Sequence, residues 1–428
     1  MELSVFSLIL FLFTDIIAVI ITLIIGKRFE TRLLSYMAIG CYTLSSGLGI
    51  FMSRDNEPYL VSSLLFLLLM TIIICKVVDR RYILTIGKIV DFFGTSKIEG
   101  MLKIVSKLGI LCFVIVFVST FYPTNYFAQL TRASFGITGE RFVLALSRLG
   151  GMAWIMDRIK LVLLPFFFIW LYTIRRKWKL FIPIYVVFRL CLILQEAVYT
   201  ARSSYIEIFL FILFYLTFEH YINRGQLALF GGIIVVVGVV AMVVFKNNLM
   251  GLSSSYGGWR EAAIAFLNSE FNGGQARLDF CNSVSGKLNF FHYLYHCFTS
   301  PFFFLPDDGF PTLSYFFTSS VLGLRYGQIG YYVILPGAFG EGVMVLGKGL
   351  AWIYGVFIGI YAGSFFHFLR KHEYLKYVYL YFLIQFAFSF RGSFQSFVMR
   401  SFNCLFYFMI VIWIIGLLAK AKVRNATY

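Results

Sequence analysis

Tyr59-Leu60-Val61-Ser62-Ser63-Leu64-Leu65-Phe66-Leu67-Leu68-Leu69-Met70-Thr71-Ile72-Ile73-Ile74-Cys75-Lys76-Val77-Val78 sets the class of fold. A helix crossing a bilayer needs about 20 mostly apolar residues, because a helix satisfies its own backbone groups in lipid. This stretch meets that requirement with Lys76 as its one charge. Ten further stretches of the same kind flank it, near 3–25, 33–51, 108–122, 159–174, 180–200, 204–219, 227–245, 342–368, 377–390 and 402–419. The composition agrees. Of 428 residues, 60% are apolar or aromatic and 13% are charged, against about 25% charged in soluble domains. That excludes a soluble globular enzyme, a disordered chain and a disulfide scaffold. The expected fold is all-α, a single polytopic integral membrane domain over 1–428 with about 11 transmembrane helices. No internal repeat or low-complexity linker interrupts it.

Short loops rich in Lys and Arg mark the cytoplasmic side. Here alternate loops carry Lys27, Arg28 and Arg32; then Arg80, Arg81, Lys88, Lys97, Lys103 and Lys107; then Arg175, Arg176, Lys177 and Lys179. Arg224, then Arg370, Lys371 and Lys376, and last Lys420, Lys422 and Arg424 follow in the same phase. This alternation places the N-terminus outside and the C-terminus in the cytoplasm. The first stretch does not read as a cleavable signal, since Glu2 replaces a basic leader and no small-residue cleavage site precedes Lys27. Two loops, 123–158 and 246–341, are then external and large, a length that goes with function or with short helices of their own. Segment 79–107 reads as an amphipathic surface helix, with Ile83, Ile86, Ile89, Val90 and Phe93 set against Lys88 and Asp91.

The net charge of +17 divides by residue type. With Lys76 added, the cytoplasmic set holds 12 Lys and 9 Arg, which orientation alone accounts for. Of the 16 remaining bases, 12 are Arg: 54, 132, 141, 148, 158, 189, 202, 260, 277, 325, 391 and 400. Arginine grips phosphate and carboxylate bidentately and does not lose its proton. Arg189 lies within a span, Arg202 at a hairpin apex and Arg391 just past the tenth span. Charges at membrane depth are costly and face internal cavities or partners; Glu196 and Glu207 flank Arg202 and are available for pairing. An anionic substrate handled on the outer face explains the group. The basic surplus is not a nucleic-acid patch, because it lies in membrane-flanking loops.

Three stretches resemble the Wzy-type O-antigen and capsule repeat-unit polymerases. They are the turn Ala201-Arg202-Ser203-Ser204 leading into an apolar helix; Pro336-Gly337-Ala338-Phe339-Gly340-Glu341-Gly342 with Leu346-Gly347-Lys348-Gly349 and Tyr354-Gly355; and Phe390-Arg391-Gly392-Ser393. Leu346-Gly347 stands where the family carries Phe-Gly. The resemblance implies a metal- and cofactor-independent glycosyltransferase of the bacterial inner membrane. It would move a glycan from one undecaprenyl pyrophosphate to the terminal sugar of another lipid-linked repeat unit, at the periplasmic face. It also implies a separate chain-length regulator as partner, besides the membrane lipids themselves.

On that expectation Arg202, Arg260 and Arg391 bind the pyrophosphate leaving group, whose growing negative charge fixed donors stabilise. Arg277, Arg325 and Arg141 form a second group of substrate-binding residues. A base for the acceptor hydroxyl is sought among His292, His296, Glu341 and the pair Asp307/Asp308. His292 and His296 share one face if their segment is helical, but two ligands without a third are weak as a zinc site. Asp307-Asp308-Gly309 reads most simply as a turn. Glu341 either caps the N-terminus of the helix that follows it or accepts a proton. Trp259, Phe290, Phe291, Tyr293, Tyr295 and Tyr315 stack on sugars, or else form an interface belt and loop core. Cys281 and Cys297 share the large loop and are placed for a disulfide in an oxidising compartment. Rival readings are an O-antigen ligase, with the same layout, and a polyprenyl-glycan flippase or other transporter, for which the intramembrane acids Asp15 and Glu196 would form a proton path. A donor carried on a single phosphate, served by Asp55-Asn56-Glu57, is disfavoured by the shortness of that loop.

Overall fold

Glycines spaced four apart, Gly355, Gly359 and Gly363, decide which helices meet at the centre. In a computed structural model of the chain they line one face of a helix against the helix containing the stretch quoted above. A Cβ on Gly355 would stand 2.8 Å from the Phe66 carbonyl oxygen, one on Gly359 2.9 Å from Cβ of Ile73, and one on Gly363 2.7 Å from Cβ of Val77. Between helices in lipid, close backbone approach through small residues supplies the packing that water would otherwise drive. The structure describes residues 5–47, 57–79, 95–122, 126, 151–195, 202–233, 273–302, 309–324, 328 and 335–425.

The described chain is helical: α1 (Val5–Ile25), α2 (Phe29–Tyr42, continued by a π-helical turn Thr43–Gly47), α3 (Glu57–Asp79) and α4 (Thr95–Ser119). Then come α5 (Gly151–Thr173), α6 (Trp178–Gln195), α7 (Arg202–Phe218), α8 (Gly273–Ser283), α9 (Phe290–Thr299) and α10 (Leu313–Leu322). The last are α11 (Gly337–Leu346), α12 (Ala351–Lys371), a 3₁₀ turn Glu373–Leu375, α13 (Lys376–Ser389) and α14 (Phe394–Asn425). Among the described residues there is one isolated bridge, Ser285 with Leu288, and no strand. The α3–α12 pair is central and α1 and α2 pack on α3. A second tight pair is α4–α5, where a Cβ on Gly109 would meet Cβ of Trp170 at 2.5 Å.

Four described helices are long and apolar enough to cross a membrane: Pro58–Asp79, Trp178–Gln195, Ala351–Lys371 and Phe394–Leu417. Shorter apolar helices accompany them, including Ile9–Ile25, Ile104–Ser119 and Ser204–Phe218. Large apolar side chains face outward on α1 (Phe6, Phe13, Ile24) and α14 (Trp413, Ile414), as a lipid-facing surface requires. The chain is therefore a multi-pass membrane protein, with four such helices shown of the eleven expected. The expected span at 227–245 lies mostly outside the described residues. The expected span at 342–368 is two helices, because Gly347 takes φ +77° and ends α11. The expected surface helix over 79–107 is described only from 95, where it is the first part of α4. The large loop 246–341 carries helices of its own, α8, α9, α10 and the start of α11; most of loop 123–158 is outside the described residues.

The basic loops gather at one end of the bundle. Asp79 accepts from the Lys27 backbone N–H at 2.7 Å, from Thr31 at 2.8 Å and from Arg370 at 2.7 Å. Lys376 reaches Glu219 at 2.8 Å, and the Tyr215 and Tyr221 hydroxyls donate to the carbonyls of Arg175 and Arg176. The alternation read from the loops thus corresponds to a shared end in space.

Candidate functional site

At the opposite end the sequence Gly337-Ala338-Phe339-Gly340-Glu341-Gly342 builds a helix closed in on every side. Every residue from Gly337 to Val345 is buried. Small residues make this fit: a Cβ on Gly342 would stand 2.9 Å from Cβ of Tyr354, and one on Gly340 3.2 Å from Cβ of Pro336. With ten residues α11 is too short to span a bilayer. Its start is covered by protein: the Ala338 N–H donates to the Phe390 carbonyl at 3.0 Å.

Glu341 is the hub of this end and is fully buried. Its Oε2 accepts from the Tyr354 hydroxyl at 2.8 Å and from the backbone N–H groups of Phe394 and Gln395 at 3.1 Å each. Those N–H groups are two of the unpaired donors that every helix N-terminus leaves. Ser393 accepts from the next, Ser396 N–H, at 3.2 Å, so α14 is capped by a local side chain and by a carboxylate from α11. Of the two roles open to Glu341, capping is the one observed, and the helix is the last one rather than the one that follows it in sequence. Tyr354 donates to Glu341, so it accepts from Tyr293, whose hydroxyl lies 2.7 Å away on α9. Burial drives the Glu341 carboxyl up to about 7, against the opposing pull of Ser393, Tyr354 and the two backbone donors. Its second oxygen, Oε1, is buried without a hydrogen-bond partner among the described residues.

This hub brings together residues far apart in the chain. Arg391 sits exposed on the turn between α13 and α14, two residues before Ser393. His292 and His296 are on α9, as their spacing implies, and both flank Phe310, with ring centroids 5.1 and 5.5 Å away. Gln395 ties the site to the start of α10, accepting from the Leu313 N–H at 2.7 Å. Arg202 begins α7 and Arg277 lies on α8, with their side chains outside what is described; Arg260, Arg325 and Arg141 lie outside the described residues. Among the described residues no group of three His, Cys, Asp or Glu side chains is placed to hold a metal ion. Asp307 and Asp308 are outside the described residues, as is Trp259.

Several expectations change in the folded chain. Cys281 and Cys297 are both buried free thiols, so no disulfide joins them. Tyr293 is a core residue, whereas Phe291, Tyr295 and Tyr315 expose 78%, 54% and 47% of their surface. Glu207, which flanks Arg202 in the sequence, pairs with Arg189. Tyr354, Tyr293 and Gln395 escaped sequence reasoning as site residues. Tyr354 stood beside a quoted glycine and Tyr293 inside His292-Tyr293-Leu294-Tyr295-His296, but nothing in a sequence says that two tyrosines 61 residues apart share a proton.

No family model, curated protein or solved structure matches this chain.

Proposed function

We propose that this chain is a bacterial inner-membrane glycosyltransferase that polymerises undecaprenyl-pyrophosphate-linked oligosaccharide repeat units at the periplasmic face. One observation carries the reading. Two of the stretches that resemble repeat-unit polymerases, around Glu341 and around Arg391, are joined through the Ala338–Phe390 backbone bond and the Glu341 cap on α14. They meet at the end of the bundle away from the basic loops, which by the positive-inside rule is the periplasmic end; the N-terminus is then periplasmic and the C-terminus cytoplasmic.

In this reading an acceptor sugar hydroxyl attacks the anomeric carbon of the growing glycan, and the bond from that carbon to the lipid pyrophosphate breaks. Arg391, with Arg202 and Arg260, takes up the charge that grows on the departing pyrophosphate, while Arg141, Arg277 and Arg325 hold the substrates. His296, half-buried beside Phe310, receives the hydroxyl proton, and His292 on the same face binds the acceptor. Glu341, wholly enclosed, fixes the turn that carries Arg391. Neither metal nor cofactor is required. A chain-length regulator is the expected partner.

The test is to supply purified protein with a synthetic pyrophosphate-linked repeat unit and look for a ladder of products. Arg202→Ala and Arg391→Ala are expected to reach the membrane and to make no polymer. A ligase would instead join the glycan to lipid A core, and a flippase would form no new glycosidic bond. Ladders of normal length from both variants would remove the arginines from the reaction.

A further inference from the structure

At the end of the bundle away from the Glu341 hub, the turn from α5 into α6 reads Arg175-Arg176-Lys177-Trp178-Lys179-Leu180, and the reaction above does not use it. Every side chain from Arg176 to Leu180 is exposed. The sequence sets no acid beside these cations: between Asp157 and Glu196 there is neither Asp nor Glu. Nor does the fold bring one to them. Among the described residues Arg176, Lys177 and Lys179 enter no ion pair, while Asp79 is taken by Arg370 and Glu219 by Lys376. Lys179 lies loosely over the Trp178 ring, its Nζ 5.8 Å from the centroid.

The backbone of the turn is held from α7. The Tyr215 hydroxyl donates to the Arg175 carbonyl at 2.7 Å and the Tyr221 hydroxyl to the Arg176 carbonyl at 3.2 Å. Arg175 is tied back: it donates to the Tyr172 carbonyl at 3.0 Å, and its guanidinium carbon lies 3.9 Å from the Tyr172 ring centroid. The other three cations thus stand on a fixed backbone, and an anion that binds them has little chain to order.

Depth follows from α6. From Trp178 onward it is long and apolar enough to cross a membrane, so the turn lies at headgroup level, where tryptophan is enriched. Along α6 the exposed side chains are then Leu180, Pro183, Val187 and Leu190, three and four residues apart on one face. From Leu180 to Leu190 at 1.5 Å per residue is about 15 Å, half of a hydrocarbon core about 30 Å thick. Beyond Leu190 the helix is buried or half-buried as far as Gln195. The apolar stripe is one leaflet long and begins under the cations.

We infer that the α5–α6 turn is a binding site for an anionic glycerophospholipid. Arg176, Lys177 and Lys179 hold its phosphate, Trp178 lies beside the glycerol, and one acyl chain follows the stripe from Leu180 to Leu190. Charge-assisted bonds from Arg and Lys suit phosphate oxygens, whereas a zwitterionic headgroup brings an ammonium that the same cations repel. The site is at the opposite end from the Glu341 hub and is independent of the glycosyl transfer proposed above.

Binding is measured on the purified full-length chain in detergent by native mass spectrometry, with phosphatidylglycerol, phosphatidylcholine and a neutral diacylglycerol as probes. Phosphatidylglycerol is expected to be retained more strongly than the other two. A cation at the membrane surface strengthens attachment of anionic lipid about fivefold. Each of Arg176→Gln, Lys177→Gln and Lys179→Gln should weaken retention by about that factor, and the triple variant about a hundredfold. Lys27→Gln/Arg28→Gln/Lys76→Gln removes three exposed cations elsewhere at the same end and should change retention by less than about fivefold. Equal retention of phosphatidylcholine would overturn the site. So would wild-type retention in the triple variant of the turn, or an equal loss in both triple variants, which diffuse surface charge would produce.

Discussion

Replacing Glu341 by glutamine should change how the stability of the protein depends on pH. Burial holds the carboxyl at about 7 in the folded chain, against 4.5 for an ordinary glutamate. A raised folded-state value means that the folded chain binds the proton more tightly than the unfolded one. The stabilisation is therefore fully present below 4.5 and is lost as pH rises through about 7. At 1.36 kcal/mol per pH unit, that separation corresponds to about 3 kcal/mol. Glutamine keeps an oxygen to accept from Tyr354 and from the Phe394 and Gln395 N–H groups, so the cap persists while the titration disappears. The assay is unfolding of purified protein by SDS titration at a series of pH values spanning that range. Every other acid is common to both proteins, so the difference between wild type and variant isolates Glu341. Relative to Glu341→Gln, wild type should lose about 3 kcal/mol across the window. A difference that stays constant to within about 0.5 kcal/mol would refute the assignment of a buried, proton-binding carboxyl at the head of α14.

Tyr354→Phe removes the donor to Glu341 and the acceptor for Tyr293; a loss of about 1–2 kcal/mol is expected in the same unfolding assay, shrinking in the Glu341→Gln background if the two act as one unit. Gly359→Val places a branched side chain against Ile73, whose Cβ is 2.9 Å from the nearest added atom, and should cost about 1–3 kcal/mol. Gly416→Ala, with open space around it, serves as the comparison and should be neutral or slightly stabilising by thermal melting, through better helix propensity. Arg370→Ala strands Asp79 without its cation, their side chains being 12% and 8% exposed, and should destabilise by about 3–5 kcal/mol; an unchanged melting temperature would count against that clasp.

Much of the architecture was legible because lipid imposes a length and a polarity on each helix. The stretches at 59–78 and 180–200 became α3 and α6 with shifts of a few residues at their ends. The turns at Lys27, Arg175, Glu219 and Arg370, from loops that share a charge, also share an end of the bundle. The break at Gly347 was hidden, since Leu346-Gly347-Lys348-Gly349 sits between apolar flanks and hydropathy averages across it. The site was half legible. Glu341, Arg391, His292 and His296 stood out by residue type, and Glu341 is joined by direct hydrogen bonds to the turn carrying Arg391. The arginines Arg189 and Arg400 looked like two unrelated members of a list of twelve until the fold brought both to the ring of Tyr381.

The sequence by itself determined that this chain lives in a membrane, that it is helical, and which loops lie together. Those properties follow from the composition of single segments, and lipid reads each segment almost independently. Tertiary structure decided what Glu341 does. A carboxylate in isolation is a cap, a base or a counterion with equal right. Burial on α11 drives it up to about 7, and the N–H groups of Phe394 and Gln395, more than fifty residues away, make it the cap of the last helix. Hydrogen bonds and desolvation depend on neighbours that only the folded chain supplies.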